Sequence, residues 1–374
     1  RQSSLRLEDF VTVENLVLAN KRASKGKKGR YGCYRYNQLL GSNSLELRDR
    51  ILSGEYRPAP CRSFEIFCQA GRKTRLITAP TYSDGVVQHL FYKAVYPIFD
   101  QGFIFDSYGC RKYKGTSKAA DRTQQFVRQC SEDSYYLQID IRKYYYSIDH
   151  AILRESLERK LADRRIVDYL MMFCGDGGIG LQVGCLLSQL FGMVYLDRFD
   201  HFCKRKLGVK RYLRYVDDIV MIGLSHEEAI SIRDQCIKFL REELHLELSK
   251  WKIQKISRGI NYCGCRTWQS HRLIRKRSMH TFNRALRKKR WASVSSVYAH
   301  AKRTSSLKSM TEKLKGAIKR ADFQDIDSSL ARAIGLKFNN NRQTRRERRQ
   351  ALRAMLRTRP ISVVQRAMSP DTRC

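Results

Sequence analysis

Two adjacent acids, Asp217 and Asp218, sit in Tyr215-Val216-Asp217-Asp218, between the runs Tyr212-Leu213-Arg214 and Ile219-Val220-Met221-Ile222. The runs read as two strands, and the acids as the tip of the hairpin joining them. Two carboxylates at one tip repel each other unless a cation neutralises them, and a divalent metal is the simplest such partner. Alone, an Asp-Asp pair is ordinarily a solvated acidic turn, so a third acid is needed. Asp140 is the candidate, near the end of the apolar run Tyr135-Tyr136-Leu137-Gln138-Ile139-Asp140-Ile141, where burial or a metal must account for its charge. If that strand lies beside the 212–222 hairpin, three carboxylates can meet at one edge and hold two Mg²⁺ ions, with Mn²⁺ as a substitute. One ion would lower the pKa of an attacking 3′-hydroxyl, and the other would steady a triphosphate and its leaving pyrophosphate. Carboxylate oxygens suit Mg²⁺, which keeps its waters and binds substrate phosphates. Asp149, in Ser147-Ile148-Asp149-His150, reads instead as a helix N-cap.

The elements that must position these acids follow from periodicity. Residues 5–22 read as one amphipathic helix, followed by a basic loop from Lys25 to Arg30. Phe64–Cys68 and Thr74–Thr78 read as strands around a Gly71-Arg72-Lys73 turn. Helical spacing runs through Val86, Leu90, Val95 and Ile98, from Ile152 to Leu170 after Asp149, and again after Ser188. Ser225-His226-Glu227-Glu228 is a capping box opening another helix. Leu244–Leu248 reads as a short strand, and 259–262 with 266–268 as a last hairpin. Strand, helices, strand, strand, helix, strand from 135 to 250 suits a ferredoxin-like α+β layer. After Arg275 the pattern is helical and basic.

Composition narrows the partners. The net charge of +37 on 374 residues favours a polyanion, nucleic acid above all. From Leu248 to Thr311 there is no acid but seventeen Lys and Arg, and from Glu312 to Cys374 there are sixteen basic and six acidic residues, so the C-terminal third carries most of the charge. Within the first tract, Arg284, Arg287, Lys288, Lys289 and Arg290 read as one helix face that can track a phosphate backbone. Arg342–Arg359 holds eight arginines, among them Arg345, Arg346, Arg348 and Arg349, and reads as a salt-sensitive contact for structured RNA, helical or disordered. The twelve cysteines include no Cys-x-x-Cys pair and read as reduced thiols of a cytoplasmic protein, and no apolar run approaches membrane-spanning length.

These blocks together resemble a reverse transcriptase of the prokaryotic retroelement type, over roughly residues 60 to 290. Asp140 to His150 resembles the first catalytic block, with Tyr145 where the family places an aromatic gate against a ribose 2′-OH. Tyr215 to Asp218 resembles the second. The resemblance implies metal ligation at Asp140, Ile141, Asp217 and Asp218. Arg72, Lys73 and Arg75 resemble the fingers hairpin that grips the incoming triphosphate, and Phe105–Lys112, with Arg111, the template-side loop. Lys252 sits where the family keeps a lysine near the pyrophosphate, and Tyr262-Cys263-Gly264-Cys265 where the primer grip lies. The implied architecture is a right-hand polymerase: an N-terminal helical extension (1–60), fingers (61–134), a ferredoxin-like palm (135–270, with fingers-side helices at 150–196), a helical thumb (271–318) and a basic C-terminal extension (319–374). Its implied partners are template RNA, RNA–DNA hybrid and deoxynucleoside triphosphates.

The subgroup rests on Gly180-Leu181-Gln182-Val183-Gly184-Cys185-Leu186-Leu187-Ser188-Gln189. Most of the family resembles Leu-Pro-Gln-Gly, then Ser-Pro, here. An aliphatic residue before Gly184, with Ser188-Gln189 after it, is similar to the reverse transcriptases of diversity-generating retroelements, which copy structured RNA with errors at adenines and work with a small basic oligomeric accessory protein; an accessory protein or a second copy is thus an implied partner. An aliphatic Val183 cannot make the polar contact a Gln makes at the incoming nucleotide, which lowers the penalty on a mismatch. Gln182 for Pro, Met193 for Asn and Gly85 for Arg depart from that group and leave open an anti-phage defence reverse transcriptase working with a non-coding RNA, bacterial or phage-encoded. A non-catalytic RNA-binding scaffold on the same fold is disfavoured by the intact acids, and an RNA polymerase by Tyr145.

Overall fold

Thr12 divides the first amphipathic stretch. Its hydroxyl accepts the Asn15 N–H at 3.2 Å and starts a new helix, so α1 (Leu7–Phe10) and α2 (Val13–Ala23) replace the single helix expected over 5–22. The computed structural model describes residues 2–68, 73–318 and 330–331. In it α3 (Tyr31–Gln38) and α4 (Leu40–Leu52) complete the helical N-terminus. β1 (Arg62–Cys68) and β2 (Lys73–Ala79) pair antiparallel as expected, while the turn with Arg72 lies outside the described residues. α5 (Tyr82–Asp100) packs on α2, with Phe10 edge-on to Phe91 at 5.2 Å, and α6 (Thr116–Arg128) follows.

The central sheet has the order β4-β5-β3-β6, all antiparallel, from β3 (Tyr135–Ile141), β4 (Tyr212–Tyr215), β5 (Asp218–Leu224) and β6 (Leu248–Lys255). Between β3 and β4 come α7 (His150–Glu158), α8 (Arg164–Met171), α9 (Leu186–Tyr195) and α10 (Asp197–His201); α11 (His226–Leu244) joins β5 to β6. This is the ferredoxin-like arrangement expected from the order of elements. Strand alternation divides the side chains between two cores. Leu137, Ile139, Ile219 and Met221 face the large helical core. Tyr136, Val220 and Ile222 face a smaller one with Ile260 and Tyr262. Gln138 and Asp140 share the parity of Tyr136, so the acid ends the strand on the face of the smaller core.

Several boundaries differ from the periodic reading. The stretch 152–170 is two helices, because Asp163 caps a second one by accepting the Arg165 N–H at 3.0 Å. α9 begins at Leu186, before Ser188, and Gln88 of α5 caps it by accepting the Leu186 N–H at 2.8 Å. Leu244–Leu248 is not a strand: α11, opened by the Ser225–Glu228 capping box, runs to Leu244 and ends on His245 with φ +49°, and β6 starts only at Leu248. The last hairpin, β7 (Ile260–Tyr262) and β8 (Cys265–Thr267), gains a third strand, β9 (Arg272–Ile274).

Three helices follow: α12 (Lys276–Arg287), α13 (Trp291–Ala301) and α14 (Ser306–Ala317). Residues 279–299 and 307–318 belong to a separate unit, in which Phe282, Val294, Met310 and Leu314 are buried and Tyr298 hydrogen-bonds Thr311 at 2.6 Å. Its exposed basic cluster is not one helix face. α12 stops at Arg287, and Lys288, Lys289 and Arg290 form a turn with Lys289 at φ +51°. The arginines from Arg342 on, Arg345, Arg346, Arg348 and Arg349 included, lie outside the described residues. No helix among the described residues is long and apolar enough to cross a membrane, and the ten described cysteines are free thiols.

Candidate active site

Strand pairing brings the acids together. Asp140 of β3 stands opposite Asp218 of β5, and Tyr215 pairs with Asp218 across the β4–β5 turn, leaving Val216 and Asp217 at the tip. The polar neighbours of these carboxylates lie on the same sheet. Gln138 donates to Asp218 Oδ1 at 2.8 Å, and the Ser249 hydroxyl donates to Asp140 Oδ2 at 2.6 Å, with Lys250 Nζ at 3.8 Å. Burial pushes the Asp218 carboxyl up to about 6; Asp140 and Asp217 add to this by repulsion, against the Gln138 hydrogen bond and Arg275. Carboxylate oxygens crowded onto one sheet edge are an environment a divalent cation fits. Among the described residues no three carboxylate, imidazole or thiol groups stand close enough to hold a metal ion by themselves. The Ile141 side chain is a buried hydrocarbon with no donor atom, so only its main-chain carbonyl can serve as a ligand.

The tip is strained and braced. Val216 has φ +60°, a costly conformation for a β-branched residue. Arg214, wholly buried, donates to the Val216 carbonyl at 3.2 Å while its guanidinium grips Asp200 at 2.5 to 2.9 Å. Tyr212 donates to the same carboxylate. From the other side Gly109 presses on the turn: a Cβ there would lie 2.6 Å from both Val216 Cγ2 and Val216 N. Its loop is stitched to β4 by Tyr108 N–H to Arg214 O (2.8 Å) and Arg214 N–H to Asp106 O (3.0 Å). Gly109→Ala is therefore expected to displace the acidic tip and lower the rate of nucleotide addition about ten-fold or more, read by single-turnover primer extension; a wild-type rate would show that the contact does not set the tip.

A second group of sequence candidates meets across a loop. Thr78 N–H of β2 donates to Val183 O at 2.7 Å, and Leu181 N–H donates to Tyr145 O at 2.7 Å. Gly184, at φ +127°, lies so close to β2 that a Cβ would stand 2.7 Å from Thr78 O. The strand of Arg75, the Val183-Gly184 pair and Tyr145 are thereby held as neighbours. The Tyr145 ring lies against Gly192, and burial, then Cys110 and Asp217, hold its phenol protonated. Arg75 is exposed on β2; Lys73 occupies its end. Lys252 stands opposite Gln138, one strand repeat from Asp140, its ammonium 5.7 Å from the centre of the Tyr136 ring.

On the other side of the acids, Tyr262 donates its hydroxyl to Asp218 O at 3.3 Å, and Gly264 follows at φ +86°, accepting the Arg275 N–H. Tyr215 is half-buried beside this strand, and Gln189 is exposed on α9. Arg111 is not free to meet a template. Its guanidinium donates to Asp100 at 2.7 Å and to the Ile104 carbonyl at 2.6 Å, with its side chain 8% exposed. The sequence reading missed Asp200, Arg214, Gln138 and Gly109. An Arg inside the apolar strand Tyr212-Leu213-Arg214-Tyr215 was the one signal that a buried acid must exist.

The chain is similar to several known proteins. A family model described as "Reverse transcriptase (RNA-dependent DNA polymerase)" matches residues 69–267. Protein YkfC of Escherichia coli (strain K12) is 27% identical over 278 residues, covering 62% of this chain and 71% of that protein. The group II intron-encoded protein LtrA of Lactococcus lactis is 24% identical over 162 residues, covering 41% of this chain and 26% of LtrA. A solved structure of apo telomerase from Candida tropicalis, truncated from its C-terminal domain, aligns at TM-score 0.44 and 14% identity over 61% of this chain and 59% of that one.

Proposed function

The chain belongs to the reverse transcriptase family, the RNA-directed DNA polymerases that use divalent metals, and from that premise we propose that its carboxylate edge extends a DNA primer on an RNA template by two-metal nucleotidyl transfer. The observation that carries this reading is the register that sets Asp140 opposite Asp218 with Asp217 at the adjoining turn. Two Mg²⁺ ions held by Asp140, Asp217 and Asp218, with the main chain of Ile141, would activate a 3′-hydroxyl and neutralise the charge gathering on the triphosphate. The chain's own residues do the rest. Arg75 and Lys73 on β2, the fingers, meet the triphosphate; Lys252 lies on the pyrophosphate side; Tyr262 and Gly264 hold the primer end; Gln189 and Tyr215 line the template path. Residues 61–134, 135–270 and 271–318 act as fingers, palm and thumb, with Arg284, Arg287, Lys288, Lys289 and Arg290 gripping the near-A-form hybrid by its phosphates. The test is primer extension on an RNA template with deoxynucleotides and Mg²⁺: incorporation that EDTA abolishes supports the reading, and none under any divalent ion refutes it.

Tyr145 serves as the sugar gate. Tyr145→Ala should narrow the preference for deoxy- over ribonucleotides by about ten-fold or more, measured as the ratio of kcat/KM for dCTP and CTP; an unchanged ratio assigns the gate elsewhere.

The biological role we propose is error-prone copying of a structured RNA within a diversity-generating retroelement, with an accessory protein or a second copy of the chain as partner. Val183 supports it, and its neighbour cannot compensate: the Gln182 carboxamide oxygen is occupied by the Cys61 and Cys185 thiols, each at 3.3 Å. Val183→Gln should lower misincorporation opposite template adenines in a primer-extension fidelity assay, and equal error rates would sink the idea. Sequencing the cDNA that copurifies with the protein separates this role from defence: adenine-specific errors favour the first, simple-repeat cDNA the second.

A further inference from the structure

A cleft of about 710 Å³ opens beside α10, lined by Lys160, Asp197, His201, Arg205 and Lys206 among others. It shares no residue with the carboxylate edge. Three observations set it apart from an ordinary basic surface. First, no carboxylate lies within salt-bridge distance of Lys160, Arg205 or Lys206 among the described residues, although the fold pairs the neighbouring Arg198 with Glu155 and Glu243. Second, the wall holds an acid–base pair, Asp197 Oδ1 3.5 Å from His201 Nε2, with Asp197 Oδ1 and His201 Nδ1 closed off from solvent and without a hydrogen bond. His201 Nε2 lies 3.1 Å from the Gly102 carbonyl and must donate to it, so Nδ1 is left as an acceptor in the neutral ring or a second donor in the charged one. Buried polar atoms are nearly always hydrogen-bonded, so this pair is an unusual feature of the wall behind the three cations. Third, the remaining wall is apolar and aromatic. Phe202 and Phe239 stack with centroids 4.3 Å apart beside Phe99 and Phe103, and the Phe202–Lys206 turn that carries Arg205 and Lys206 is a π-helix, a form found mostly at functional sites.

We propose that this cleft binds a nucleoside 5′-phosphate, either free or as a nucleotide of a bound RNA: the phosphate meets Lys160, Arg205 and Lys206, and the base lies along the phenylalanine wall. Cations beside an aromatic wall are the recurring means of holding a nucleotide without base pairing. An acidic peptide would use the cations and leave the aromatic wall unexplained. The cleft is a second nucleotide site, independent of the polymerase reading.

The experiment is calorimetric titration of the full chain, in EDTA, with adenosine 5′-monophosphate, adenosine and inorganic phosphate, against a Lys160→Gln/Arg205→Gln double variant and an Arg75→Gln variant. The monophosphate should bind about ten-fold or more tighter than either fragment, the double variant should lose about ten-fold, and Arg75→Gln should lose nothing. Primer extension by the double variant on a short primer–template should stay at the wild-type level, which shows that it folds. Ultraviolet crosslinking of a short oligoribonucleotide separates the two sources. A crosslink to the peptide containing Phe202, competed by the monophosphate, assigns the site to RNA; binding of the monophosphate without such a crosslink assigns it to the free nucleotide. Equal affinity in wild type and double variant overturns the proposal, as does equal displacement of the monophosphate by polyglutamate.

Discussion

Asp218→Asn should abolish primer extension, by at least about a thousand-fold, because a neutral amide oxygen holds a divalent cation far more weakly than a carboxylate and lacks its charge. The same substitution should raise the stability of the metal-free protein at neutral pH. Burial first, then Asp140 and Asp217, raise the Asp218 carboxyl from its usual 3.8 to about 6 in the folded chain. A carboxyl raised on folding contributes stability below its unfolded value, and that contribution is lost as pH rises through the folded value. In EDTA, the unfolding temperature of the wild type should therefore fall, relative to Asp218→Asn, between about pH 4 and pH 7. Asp149 and Asp163 are depressed, so their contributions are lost only as pH falls below the usual carboxylate range, and they are common to both proteins. Mg²⁺ should narrow the gap at neutral pH. Loss of activity without the pH-dependent gap would mean that Asp218 acts on substrate without bearing the charge described here.

Asp200→Ala should be the most destabilising change near the site. It leaves the Arg214 guanidinium buried without its partner, and breaking such a pair costs about 3–5 kcal/mol, roughly 10 °C in unfolding temperature for a domain of this size. The ion pair itself need not be stabilising against an apolar replacement, so Asp200→Leu/Arg214→Met should recover much of the loss. It should not recover activity, because the donor to the Val216 carbonyl is gone and nothing then holds that residue at φ +60°. Calorimetric unfolding and primer extension on the three proteins separate the two effects. A double variant that regains both stability and rate would show that Arg214 does not position the tip.

Much of the catalytic edge could be read along the chain because it is carried by local signals. The alternation over 135–141 and the split apolar runs around Asp217 and Asp218 are period-two patterns, and the Ser225 and Asp149 caps are made by near neighbours. Each survives in the folded chain with the role expected of it. The misreadings share one cause. Periodicity cannot see a cap that interrupts it, so Thr12 and Asp163 split helices that apolar spacing alone runs together. Arg111 looked like a surface cation because its acid, Asp100, belongs to a different element.

Residue types and spacing by themselves singled out the three acids, Tyr145 and Val183, and the resemblance they carry pointed to the reverse transcriptase family, since each is a short string read locally. Only the tertiary structure decided what holds them. Asp200 reaches Arg214 and Gly109 reaches Val216 across long stretches of chain, and Gln182 meets Cys61 from another element. The Asp197–His201 pair in the cleft beside α10 became visible only once its neighbours were in place. Burial and pairing are properties of neighbours in space, and a charge meets its partner, or fails to, only after the chain has folded.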